Sequence, residues 1–208
     1  MKAMVRTIRR VSLPLNQGKW HALVELVRRY AREKEAHLRF FRRDASFACF
    51  SSDRTRRDEL VALGYASPNG LQARAWKLAL KEAYETIAKQ WGTLAADLKP
   101  RIARQDHWGQ AQQRYAYWLL QSPRRLAQLV SGKAPVPMHF ELGFAERKTV
   151  QNYLRRVIRR TRGERSRVRL ARSMPLDADM YTAFEHNGVQ YIKVMSLKSG
   201  QRIVIPLT

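Results

Sequence analysis

The chain has 208 residues and a mass of 24.3 kDa, 45% hydrophobic, enough for a sizeable core in one domain or two small ones. Forty Lys and Arg stand against 17 Asp and Glu, giving a formal net charge of +23 and a sequence pI near 11.1. A polyanion partner is expected, and because 29 of the forty are arginine, whose planar guanidinium suits phosphate forks and base stacking, nucleic acid leads a membrane surface.

Residues 1–15 carry arginine and no acid. Their interrupted apolar pattern argues against a secretory signal, and no run approaches eighteen apolar residues, so an intracellular chain without a spanning helix is expected. A mitochondrial presequence is the alternative for this segment, but β-branched residues alternate with Arg over 4–13 up to Pro14, which predicts a strand. Asn16 is then placed to cap a helix in which Trp20, Leu23, Val24, Val27, Ala31, Leu38 and Phe41 recur at three- and four-residue steps, with Arg28, Arg29, Arg32, Arg39 and Arg42 on other faces. Residues 44–66 show no clear period and are expected to be irregular, with a charged patch at Arg54, Arg56 and Arg57. The single cysteine, Cys49, excludes an internal disulfide and a Cys-rich zinc site; between Phe47 and Phe50 it is expected to be a small buried hydrophobe.

Ser67-Pro68 predicts the start of a second long helix, whose stripe of Leu71, Ala75, Leu78, Ile87, Leu94 and Leu98 runs to Pro100. A shorter helix is predicted around 108–120, and another from Ser122-Pro123 to Gly132. Residues 133–142 form the best domain boundary. Beyond it Val150, Tyr153, Leu154, Val157 and Ile158 make one helical face, and Arg155, Arg156, Arg159, Arg160 and Arg162 crowd the other until Gly163. The period then falls to two: Ser166, Val168 and Leu170 alternate with Arg165, Arg167 and Arg169, a half-buried strand with an arginine face. Asn187-Gly188 predicts a hairpin, and Ser199-Gly200 turns the chain into a third antiparallel strand over 202–206.

Residues 147–172 hold eleven Lys or Arg against one acid, Glu164, the densest charge in the chain. Arginines concentrated on a helix face and on the strand after it need a counter-anion, so nucleic-acid contact is expected here rather than a merely solvated face. Residues 173–208 carry three basic and three acidic residues and are expected to be scaffold, with Lys193, Lys198 and Arg202 as local contacts. Trp76, Tyr84 and Trp91 share a broad helical face, read as core in preference to a base-stacking platform. Gln72, Arg74 and Lys77 are of types that read a groove edge or a phosphate. The five histidines show no metal-ligand spacing, and Asp177 with Asp179, the tightest carboxylate pair outside helices, is read as a turn rather than a metal site. No catalytic residue, metal or cofactor is assigned.

The C-terminal stretch Pro175-Leu176-Asp177, Met180-Tyr181, Tyr191-Ile192-Lys193-Val194-Met195-Ser196-Leu197 and Gly200-Gln201-Arg202-Ile203-Val204-Ile205-Pro206-Leu207 resembles the oligonucleotide-binding wedge of transposon-encoded RNA-guided endonucleases and of their descendants, the type V CRISPR effectors. The helix bearing Tyr153-Leu154-Arg155-Arg156 fits as well, and 72–91 resembles a recognition-lobe helix. The resemblance implies an α+β fold, an antiparallel oligonucleotide-binding-like wedge barrel or sheet with a large α-helical recognition-lobe insertion. Its segments would be a first wedge strand at 1–15, a helical recognition lobe at 16–132, and a linker, basic helix and wedge sheet at 133–208. It further implies a noncatalytic RNA-guided DNA-binding module, cytoplasmic and nucleoid-associated in a prokaryote. Guide RNA scaffold and guide-target heteroduplex would meet Arg155, Arg156, Arg159, Arg160, Arg162, Arg165, Arg167, Arg169, Lys193, Lys198 and Arg202, and a motif flanking the target DNA would fall to Gln72, Arg74 and Lys77. The family continues into a RuvC-like nuclease, whereas this sequence stops at Thr208, so cutting is not inherited and a RuvC-like partner in trans is expected. That partner could add to an unpaired edge at 202–207, where Ile203, Val204 and Ile205 cannot all face one covered side. A ribosomal or other structured-RNA-binding protein is the competing reading, and an unrecognised nuclease using Asp177, Asp179 or a histidine a third.

Overall fold

The computed structural model describes residues 10–136, 140–162 and 173–208. Among them the chain forms helices α1 (Gln17–Phe41), α2 (Asp44–Cys49), α3 (Asp53–Ala62), α4 (Ala73–Ala103), α5 (Gln110–Leu120), α6 (Pro123–Val130) and α7 (Phe144–Arg162). Strands β1 (Tyr181–His186), β2 (Val189–Met195) and β3 (Arg202–Leu207) follow and make one antiparallel sheet in the order β1-β2-β3. The fold is α+β. Two compact units divide it, neither continuous in sequence: a sheet unit from the described residues of 1–33, 66–78 and 171–208, and a helical unit from 34–65 and 79–170. This grouping departs from the segments 1–15, 16–132 and 133–208, because α7 packs on α5 and α6 in the helical unit.

In the sheet unit, Asn187 (φ 50°) and Gly188 (φ 72°) both take the positive φ that a type I′ turn needs, so β1 and β2 pair without a bulge from Tyr181↔Val194 to His186↔Val189. Gly200 (φ 76°) supplies the second reversal, and β3 pairs with β2 through Val194↔Ile203 and Ile192↔Ile205. Alternation sends Ile203, Ile205 and Val194 to the buried face, where Leu15, Ala22, Leu23, Leu176 and Leu207 pack on them, and leaves Val204 on the opposite face. Only the end of the predicted first strand lies within the described residues. Ser12 bridges Leu207, the Leu13 N–H donates to the Pro206 carbonyl at 3.0 Å, and the Thr208 N–H donates to the Val11 carbonyl at 2.9 Å. This short pairing covers the far end of the β3 edge that was expected to be open.

Five expectations are corrected. Ser67-Pro68 does not start a helix: Ser67 and Asn69 both donate to the fully buried carboxylate of Glu33, at 2.8 and 2.7 Å, which pins a turn closed by Gly70 (φ 67°), and α4 begins only at Ala73. It runs past Pro100, which sits in its final turns. Residues 44–66 are largely helical, α3 being capped by Ser52, whose hydroxyl accepts the Thr55 N–H. Cys49 is exposed, because the buried face of α2 is formed by Phe47 and Ala48 and the next position turns outward. Trp20 and Val24 lie 57% and 47% exposed, since Ala22 and Leu23 are the α1 residues that meet the sheet core; farther along α1, Leu26, Tyr30, Leu38 and Phe41 are buried.

The helical unit is held by α2 on α6 and by mutual packing of α5, α6 and α7. Phe47, Leu126, Leu129, Leu119 and Tyr115 are all buried there, and the Arg124 guanidinium caps the end of α2 by donating to the Ala48 carbonyl. Trp91 is buried in this unit and Trp76 in the other; Tyr84 stacks on Phe47 (5.0 Å) and meets Phe41 edge-on (5.4 Å), so the aromatic stripe of α4 is core. Burial pushes the Tyr84 hydroxyl above its ordinary pKa, with Asp53 adding to the effect, and pushes Tyr115 up as well.

Candidate nucleic-acid interface

The sequence of α7 sorts its side chains into two faces. Val150, Leu154 and Ile158, four residues apart, are completely buried, and Tyr153 joins them by meeting Trp108 edge-on at 5.1 Å and accepting a hydrogen bond from Gln105. A Gly143–Glu146 capping interaction, in which the Gly143 N–H donates to the Glu146 carboxylate at 2.9 Å, fixes where the helix starts. The opposite face is then determined: Lys148, Asn152, Arg156 and Arg160 follow at four-residue steps with Arg159 beside them, all exposed. From Lys148 to Arg160 this stripe extends about 18 Å at the usual helical rise.

Charge compensation sets the exposed face of α7 apart from the paired arginines of α1 and α3. On α1, Glu25 pairs with Arg28 and Arg29, and Glu35 pairs with Arg39 and Arg42; the hydrogen bond from Arg29, ahead of the charges of its neighbours, holds the Glu25 carboxyl below its ordinary pKa. On α3, Arg56 pairs with Glu59 and lies 4.4 Å over the Phe40 ring, and Arg57 pairs with Asp58. For Arg156, Arg159 and Arg160 no carboxylate partner occurs among the described residues. Like charges at three- and four-residue spacing destabilise a helix by a few tenths of a kcal/mol each, so this face gains from an external anion.

Arg155 differs from its neighbours. It is half-buried; its Nε donates to the Leu129 carbonyl at 2.8 Å, which ties α7 to the end of α6, and its Nη1 donates to the Asn152 Oδ1 at 3.5 Å. Arg162 ends α7, and its side chain, like the whole of Arg165, Arg167 and Arg169, lies outside the described residues.

The remaining predicted contacts belong to the sheet unit. Lys193 is exposed with its Nζ 4.7 Å over the Phe184 ring, which itself stacks on Tyr191 at 5.2 Å. Arg202 donates to the Met180 carbonyl, and Lys198 lies in the exposed turn before β3. Gln72 is brought to that turn: its Nε2 donates to the carbonyls of Ser196 (2.6 Å) and Lys198 (3.2 Å). Arg74 pairs with both Asp177 (2.7 Å) and Asp179 (2.6 Å), and Asp177 also accepts the Asp179 N–H, the local bond of an Asx turn. Of the three residues matched to flanking-motif contact, Gln72 and Arg74 are therefore engaged within the fold, and Lys77 lies over the Trp76 ring at 5.7 Å. Among the described residues no group of three His, Cys, Asp or Glu gathers as a metal-holding set, and no helix is long and apolar enough to cross a membrane.

Beside the first turns of α7 lies a groove of about 350 Å³, walled by Phe144, Arg147, Lys148, Gln151 and Arg155 on the helix and by Val136 across from them. Sequence reasoning singled out only Arg155 of this set. The available signal was the spacing of Arg147 and Lys148 three and four residues after Phe144, which puts an aromatic ring and two cations on neighbouring parts of one helix face. No protein-family model, curated protein or solved structure matches this chain.

Proposed function

We propose that the chain is a noncatalytic nucleic-acid-binding module of an RNA-guided DNA-binding system, holding guide RNA and the guide-target heteroduplex by their phosphate backbones. The observation that carries this reading is the exposed stripe of Lys148, Arg156, Arg159 and Arg160 on α7, uncompensated by carboxylates among the described residues, in a chain of net charge +23. Guanidinium groups spaced along a rigid helix match a phosphate backbone and carry no sequence information of their own, which suits a protein that leaves sequence to base pairing. The resemblance of the C-terminal segment to a wedge supports the RNA-guided part. So does the antiparallel pairing of residues 11–13 with the end of β3, since a wedge completed across a helical insertion requires an N-terminal segment to return to the C-terminal sheet. On this reading the sheet and that segment belong to an oligonucleotide-binding-like barrel. Base readout is not placed on Gln72 or Arg74, whose side chains serve the sheet unit.

A ribosomal or other structured-RNA-binding protein would use the same arginine stripe. Sequencing the RNA that copurifies with the chain separates the two. A single dominant noncoding RNA is the expected result; ribosomal RNA alone would favour the competing reading, and no RNA at all would remove both.

A further inference from the structure

The groove at the start of α7 combines features that the arginine stripe lacks. Phe144, in the first turn of the helix, leaves 72% of its surface in water, with the Lys148 Nζ 5.6 Å from its ring centroid and the rest of the ring open. Arg147, Lys148 and Arg155 surround it, and among the described residues no carboxylate lines the groove; Glu146, the nearest acid on the helix, is held by its bond to the Gly143 N–H. The polar groups are oriented before any ligand arrives. Arg155 is fixed through Nε to Leu129, and Gln151 is fixed because its Nε2 donates to the Tyr115 hydroxyl at 2.9 Å, which leaves the Gln151 carbonyl oxygen as a free-standing acceptor.

A volume of about 350 Å³ is at the low end of small-ligand sites. It has room for one nucleoside and not for a duplex. An apolar protein segment would leave three cations uncompensated, and the interior of a paired duplex offers no ring face to Phe144 because its bases are already stacked on both sides. Resting on the reading of α7 as a nucleic-acid face, we propose that this groove seats one unpaired nucleotide of the bound RNA. Its base lies on the Phe144 ring, its flanking phosphates meet Arg147, Lys148 and Arg155, and the Gln151 oxygen accepts from an exocyclic amino group. The site gives the module a preference for RNA with an unpaired nucleotide next to a helix, because single-stranded bases stack on aromatic side chains where paired ones cannot.

The test uses the full chain and two fluorescent probes, a twelve-nucleotide single-stranded RNA and a blunt RNA duplex of the same length. Phe144→Leu keeps the apolar surface and removes the ring; Phe144→Trp restores a stacking surface. Phe144→Leu is expected to weaken single-strand binding about tenfold, the scale of one lost base stack, and to change duplex binding less than twofold, with Phe144→Trp recovering the wild-type value. Equal loss on both probes, or no loss on either while both still bind, overturns the nucleotide seat and leaves the arginine stripe standing. If the wild-type chain binds neither probe, both readings fall together. Far-UV circular dichroism of each variant confirms that this exposed position has not altered the fold.

Discussion

Replacing Arg156, Arg159 and Arg160 by alanine removes three uncompensated charges and touches no packing. All three side chains are exposed, and Val150, Leu154 and Ile158 on the other face remain as they are. Arg155 is kept, because its bond to the Leu129 carbonyl makes it structural and its loss would confuse binding with folding. At about 1 kcal/mol for each lost charged contact the triple variant should bind structured RNA more weakly by about 3 kcal/mol, roughly a hundredfold. Counterion release gives a second, independent magnitude: each phosphate contact contributes about 0.7 to 0.9 to the slope of log affinity against log salt, so three losses should flatten that slope by roughly 2 to 3. Fluorescence anisotropy across a salt series measures both quantities at once. Thermal stability should hold or rise slightly, since alanine is the better helix former and like-charge repulsion is relieved. An unchanged salt slope in a folded triple variant would show that these arginines meet water and nothing else.

Gln72→Ala leaves the Ser196 and Lys198 carbonyls without their donor and should lower stability by about 1 to 2 kcal/mol in denaturant titration. A stable variant with altered preference for DNA sequence would instead return Gln72 to base readout. Burial raises the pKa of Tyr84 above 10.0, so the native state holds this proton at pH values where the unfolded chain has lost it. The corresponding stability is intact below about pH 10 and is lost as pH climbs through the raised value; Tyr84→Phe should shrink the alkaline drop seen between urea titrations at pH 9 and pH 11, and an undiminished drop would contradict the assignment. Cys49 should react with a thiol reagent in the native chain at close to one equivalent, and protection until unfolding would show that α2 buries it after all.

Those parts of the molecule that follow local rules were legible in the sequence. Asn187-Gly188 fixed the hairpin, because few other pairs tolerate two successive positive φ values, and alternation in β3 put Ile203 and Ile205 on one side with Val204 on the other. The two faces of α7 followed from its period, and the core placement of Trp76 and Trp91 from theirs. What was missed depends on contacts distant in sequence. Ser67-Pro68 has the composition of a helix start, but Glu33, more than thirty residues earlier, draws Ser67 and Asn69 into a turn. Gln72 and Arg74 have groove-reading chemistry, yet the carbonyls after β2 and the two aspartates before β1 claim them, a pairing over a hundred residues apart that no local window contains. The exposed arginine face of α7 was legible for the opposite reason: the scarcity of acids near it in sequence carried over to the described residues in space. The groove at Phe144 needed the structure, since Val136 reaches it from the loop that the sequence marked only as a boundary.

The proposed function has nucleic acid selected by base pairing and held by this chain through the phosphate backbone. Its most direct test is a gel-shift measurement with the purified ribonucleoprotein and two DNA duplexes, one complementary to the variable end of the copurified RNA and one scrambled, at matched salt. Retention of the complementary duplex, lost in the Arg156, Arg159 and Arg160 alanine variant and absent for the scrambled duplex, is the expected result. Equal retention of both duplexes, or of neither while the RNA stays bound, would contradict RNA-guided binding and leave the chain as a binder of structured RNA.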